Sequence, residues 1–150
     1  MNKKQVITKV EEFVKAKLLG ESTGQDWWHI DRVRKNALKI SKREGGDLFI
    51  IELAALLHEM DDWKFKKLGA RGFNVRGYLS SLGLESRLVS QIAYITENIS
   101  WKVGTNKHRM QTIEGKIVQD ADRLDVIGAI GVARVFVFGG YVGREIHNPH

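Results

Sequence analysis

The sequence predicts an all-α fold, a compact helical bundle. Apolar residues recur at three- and four-residue spacing over most of the chain, and no stretch alternates apolar and polar residues as a half-buried strand would. The single proline is Pro149, so nothing breaks a helical pattern before the end. No internal repeat or low-complexity segment competes with this reading.

The elements follow in order. Val6, Val10, Phe13, Val14 and Leu18 share one helical face, and Gly20 supplies the stop. Thr23-Gly24-Gln25-Asp26 resembles a capping box opening a second helix that runs to about Arg43. Gly45-Gly46 makes a turn, and Asp47 caps a third helix that is apolar nearly all round, as expected of a helix surrounded by others. A loop over Lys66 to Arg71 precedes a short helix from about Phe73 to Leu82, stopped by Gly83, and another from about Glu85 to Ile99. Residues 100–111 read as a polar, basic loop. From Thr112 a long helical pattern continues to about Phe138, with Gly128, Ala129, Gly131 and Ala133 offering small surfaces for close helix packing.

A chain of 150 residues, 43% apolar and 28% charged, is expected to form one domain over residues 1–150 with a sizeable core. It has no apolar run of about 18 residues to cross a membrane, and its basic N-terminus leads into an amphipathic stretch rather than a signal-peptide core. Cysteine is absent, which removes disulfide and thiol chemistry. A cytoplasmic location is the simplest expectation. The net charge of +6 and pI near 9.6 permit an anionic partner without selecting one. The positive residues are scattered, and none of their clusters interleaves with aromatics as a single-stranded nucleic-acid groove requires. Nucleic acid is therefore not the expected partner.

The chemistry concentrates at the end of the third helix, in "LAALLHEMDDWKF", where His58, Glu59, Asp61 and Asp62 follow a run of aliphatic residues. Carboxylates at a helix C-terminus face its partial negative charge, at a cost of about 0.3–1 kcal/mol each when exposed. Lys64 can offset one of them; a divalent cation could offset several, with His58 as a nitrogen ligand beside the oxygens. The plain alternative is a frayed, solvated helix end.

Further ligands would have to come from other helices. "DWWHIDRV" places His29 and Arg32 three apart on one face, so that one can hold a metal while the other reaches an anion; His29 can equally be a histidine at the core's edge. In "QDADRLD", Asp122 lies four residues after Val118 and four before Val126, toward a partly buried face. Asp120 lies about 160° around that helix from Asp122 and Asp125 about 60°, so Asp120 points outward or pairs with Arg123. An exposed, salt-bridged acidic cluster remains the alternative. Trp27 and Trp28 are expected in the core, one of them lining a pocket.

Together the three segments resemble the HD-domain phosphohydrolase superfamily, closest to its small stand-alone bacterial members, over about Gly24 to Gly143. In that family a first histidine, a His-Asp pair and a later aspartate bind a divalent metal. The resemblance implies His29, His58, Glu59 and Asp122 as ligands of an ion such as Mn²⁺, Mg²⁺ or Fe²⁺. It implies an HD-domain-like helical bundle and a small phosphorylated substrate, a nucleotide or another phosphate ester or anhydride. Asp62, one turn from His58, is the first candidate to orient the nucleophile or take its proton, and Asp61 the second. Arg32, Lys64 and Arg123 are candidates to steady phosphate oxygens. Two departures stand out: Glu59 occupies the position of the family's aspartate, and the chain is expected to lack a C-terminal segment that relatives carry beyond "FGGYVGREIHNPH". Both motivate an alternative function, a catalytically degenerate metal-binding sensor or interaction domain.

Overall fold

The computed structural model describes residues 1–60, 73–100 and 109–149. Asp61, Asp62 and Lys64, the Lys66–Arg71 loop and most of the basic loop over 100–111 lie outside the described residues.

Among the described residues there are seven helices and no strand: α1 (Lys3–Leu18), α2 (Trp27–Glu44), α3 (Leu48–Leu57), α4 (Val75–Ser81), α5 (Ser86–Asn98), α6 (Ile113–Leu124) and α7 (Gly128–Tyr141). The all-α expectation is met. The core centres on α3, which packs against α1, α2, α5 and α6. That surround explains why Phe49, Ile50, Ile51 and Leu53 to Leu57 are all buried, with Glu52 the one charged side chain of this helix. Val6, Val10, Val14 and Leu18 of α1 and Ile30, Val33 and Ala37 of α2 close over it at helical spacing. Arg34 on α2 bridges Glu11 of α1 and Glu52 of α3, pinning three helices at the edge of the core.

Three local expectations are corrected. The cap of α2 is Asp26, whose carboxylate accepts from the His29 backbone N–H at 3.0 Å; the Thr23 hydroxyl instead donates to Glu21 at 2.6 Å. Trp28 is exposed, and only Trp27 joins the core. The long C-terminal helix is in fact two, meeting at 82° across Asp125 to Ile127. The chain turns there because Asp125 leaves α6 as its C-cap, Ile127 is extended (φ −99°, ψ 144°), and Gly128 takes φ +79°, a left-handed value that suits glycine. Gly131 makes the corner tight: a Cβ there would lie 2.2 Å from the Val126 carbonyl carbon and oxygen. Its small size thus serves the chain's own bend rather than a neighbouring helix, and Ala129 and Ala133 are exposed. No single helix among the described residues is long and apolar enough to cross a membrane.

Candidate metal centre

Three helices deliver the site. His29 sits in the first turn of α2, directly fixed by the Asp26 cap. His58 and Glu59 follow the last residue of α3, and Asp122 lies in the last turn of α6. Since α2 packs on both α3 and α6, and α3 on α6, the three ends converge. His29 Nε2 lies 3.2 Å from His58 Nε2, 3.4 Å from a Glu59 oxygen and 3.5 Å from Asp122 Oδ1; His58 Nε2 lies 3.6 Å from each of the same two oxygens. One donor atom from each of the four residues falls within 4.8 Å of all the others.

The hydrogen bonds behind the rings define which nitrogen is which. The Ala55 carbonyl can only accept, so His58 Nδ1 donates to it at 2.7 Å; this also satisfies one of the last-turn carbonyls that α3 leaves without a helical partner. The Asp125 carboxylate accepts from His29 Nδ1 at 2.8 Å. When the rings are neutral, both Nε2 atoms therefore present lone pairs to one another and to two carboxylate oxygens. Four acceptors turned inward repel unless positive charge sits among them.

Protons or a cation can supply that charge, and the electrostatics of the protein alone favour protonated imidazole beside ionised carboxylates. Burial pushes the His58 imidazole down, but the Asp122 carboxylate and the charge of Glu59 outweigh it and raise the group to about 9. Burial pushes Asp122 up, yet contact with His58 and the nearby His29 and Arg134 hold it at about 2. Glu59 is lowered as well, burial being outweighed by His29 and His58.

A divalent ion fits this donor set. Two ligands each about 2.1 Å from an ion lie about 3.0 Å apart at a right angle and about 3.4 Å apart at a tetrahedral angle, close to the spacings above. Two imidazoles with two carboxylates suit mixed nitrogen and oxygen coordination. The second oxygen of Glu59 is buried and has no hydrogen-bond partner among the described residues, a cost that a ligand to that carboxylate would relieve. The side chains of His29, His58 and Glu59 are 0%, 1% and 6% exposed, whereas that of Asp122 is 28% exposed, so access is from the Asp122 side.

Of the candidate phosphate ligands, Arg32 spends its fork on Asp125, through Nε at 2.7 Å and Nη2 at 3.0 Å. The anion it reaches from its shared face with His29 is thus a protein carboxylate. Arg123 lies at the surface, 3.9 Å from Asp120. Sequence reasoning missed Asp125 and Arg134. Arg134 Nη1 donates to Asp125 at 3.1 Å, and its Nε donates to the Gly24 carbonyl at 2.6 Å. One signal was available: Arg134 is the only charge in the apolar run of residues 126 to 143, and an isolated charge in such a run calls for a partner.

With this geometry in view, a family model for the HD domain matches residues 27–127, a span containing all four donors and Asp125. The chain is 37% identical over 140 residues to the Bacillus subtilis (strain 168) protein YpgQ, covering 92% of this chain and 68% of that one. The crystal structure of YpgQ in complex with ADP is similar with a TM-score of 0.75 at 35% identity, covering 95% of this chain and 72% of that chain. A Bacillus thuringiensis HD-superfamily hydrolase is similar with a TM-score of 0.68 at 40% identity, covering 99% and 72%.

Proposed function

The chain belongs to the HD domain family, and on that premise we propose that it is a metal-dependent phosphohydrolase acting on a nucleotide or another small phosphate ester or anhydride. The observation that carries this reading is the convergence of four donor atoms from three helices, with both imidazole Nε2 lone pairs turned inward. His29, His58, Glu59 and Asp122 would hold the ion. Such an ion supplies water acidified toward neutral pH and polarisation of a phosphoryl oxygen. The ADP held by YpgQ supports a nucleoside phosphate as the ligand class.

The chain's own residues supply the rest. Burial of His29, His58 and Glu59 excludes bulk water from one side of the centre, so a phosphate approaches past Asp122. Asp62, four residues after His58, is assigned to accept the proton of the attacking water, with Asp61 next in line. Lys64 and Arg123 are assigned to the phosphate oxygens; Arg32, engaged with Asp125, would have to release that carboxylate to join them.

A second reading is favoured by Glu59 itself. Its added methylene, relative to aspartate, displaces the carboxylate, and an error near 1 Å in a catalytic group can cost about a hundredfold in rate. A metal-binding sensor or interaction domain would keep the ion and lose the turnover. The deciding experiment is a hydrolysis screen over nucleotides and small phosphate esters with Mn²⁺, Mg²⁺ and Fe²⁺, run on the wild type, Glu59→Asp and Asp62→Asn. The phosphohydrolase reading expects turnover that rises in Glu59→Asp and falls in Asp62→Asn without loss of metal. Bound metal with no turnover in either the wild type or Glu59→Asp would favour the sensor.

A further inference from the structure

We propose that Asp125 is a positioning residue of the metal centre: clamped by Arg32 and Arg134, it fixes the tautomer and orientation of His29 and so sets the affinity for the ion. The inference rests on the metal-binding reading above and concerns a residue outside the four donors.

Asp125 is buried at the C-cap of α6, three residues beyond Asp122. Its Oδ1 accepts from Arg32 Nε, and its Oδ2 from His29 Nδ1, Arg32 Nη2 and Arg134 Nη1, at 2.7 to 3.1 Å. Four donors from three side chains converge on this carboxylate, three of them on Oδ2, and together they hold it against the ring. The two guanidinium groups come from different helices, α2 and α7, and Arg134 is itself held by the Gly24 carbonyl just before α2 and by the Asp125 carbonyl at 3.3 Å. The clamp therefore holds Asp125 from two helices while Asp125 holds the His29 ring.

The two imidazoles are fixed by different devices. His58 gives its Nδ1–H to a backbone carbonyl that no substitution removes, whereas His29 depends on a side chain. An acceptor behind a ligating histidine holds the ring so that its other nitrogen stays a lone-pair donor, and losing such a partner costs about 10- to 100-fold in metal affinity. Asparagine at 125 would keep the shape but could turn its amide to donate to Nδ1, which places the hydrogen on Nε2, toward the ion site. Arg134 also links α7 to the centre, tying a helix with a largely exposed apolar surface to Asp125.

The test uses the full chain, stripped by chelator and titrated with Mn²⁺ at fixed pH, free ion being read by electron paramagnetic resonance. Asp125→Asn is expected to weaken binding about 10- to 100-fold, and Arg134→Ala by a smaller factor in the same direction. Arg34→Ala, which breaks the Glu11 and Glu52 pairs away from the centre, should lower the melting temperature and leave Kd unchanged. In ¹⁵N spectra of the stripped protein, His29 should carry its proton on Nδ1 in the wild type and lose that preference in Asp125→Asn. Should Asp125→Asn not fold, Arg134→Ala and the His29 spectrum carry the test. Unchanged affinity in both variants overturns the proposal alone, as does a loss that merely tracks melting temperature across all three. A wild type that takes up no Mn²⁺ overturns the metal reading and this proposal with it.

Discussion

Helices α3 and α7 look alike in sequence and differ in surroundings. Both are apolar almost all round, yet α3 is buried by four neighbours while α7 leaves Ile130, Val132, Val135, Phe136 and Val137 about half exposed, burying only Gly131 and Gly139. Hydrophobic periodicity reports which faces could be buried, not which are. What separates them is the chemistry at their ends. The α3 terminus delivers two of the four donor residues into the core, whereas α7 begins beyond a sharp corner and, among the described residues, reaches the centre through Arg134.

The contrast can be broken by mutation. Leu53→Ala, at a fully buried position on α3, should destabilise by about 2–5 kcal/mol, the range for large-to-small changes in cores, read from denaturant unfolding. A loss below about 1 kcal/mol would mean that α3 is not the centre of the core.

Metal removal should come next in size. An ion bound only by the folded form stabilises by about 2.7 kcal/mol at a hundred times its Kd, so chelation should lower the melting temperature accordingly. The pH dependence sharpens this. His58 is raised from its ordinary value to about 9 in the protein alone, so the stability it contributes is fully present below about pH 6.5, the unfolded value, and is lost as pH rises through about 9. A metal ligand must be neutral, so the loaded protein should lack that alkaline loss. Melting curves of both forms at pH 6.5, 8 and 9.5 check it; parallel curves would contradict the assignment.

At the corner, Gly131→Ala would push a Cβ into the Val126 carbonyl. Backbone cannot yield as a side-chain tip can, and the expected cost is about 1–3 kcal/mol. A neutral result would show the bend to be adaptable. Smallest of all, Val135→Ala on the exposed side of α7 should fall within about 0.5 kcal/mol of the wild type, with alanine's helix propensity favouring slight stabilisation. A loss of core size there would reveal that α7 is covered.

These particulars also mark what the sequence allowed one to read. Six of the helices lay near their expected places because their caps and apolar spacings are local signals: Asp47 does cap α3, and Gly20 and Gly83 take left-handed conformations after α1 and α4. The corner at Asp125 escaped because it has no proline, and Gly128 alone is a weak break inside an apolar run. The four donors could be grouped across helices only through the resemblance to the HD family, because no local pattern links residues 29, 58, 59 and 122. Asp125 received only an angle from Asp122, and that angle assumed a helix continuing where the chain in fact turns. Arg32 was read as free to bind phosphate because its partner lies 93 residues away, beyond any local pattern.

The central claim is that His29, His58, Glu59 and Asp122 hold one divalent ion. Its most direct test is anomalous diffraction at the manganese edge from crystals grown with Mn²⁺. The account predicts one strong peak per chain, within bonding distance of His29 Nε2, His58 Nε2 and oxygens of Glu59 and Asp122. No peak at saturating Mn²⁺, or one that excludes the two imidazoles, would contradict it.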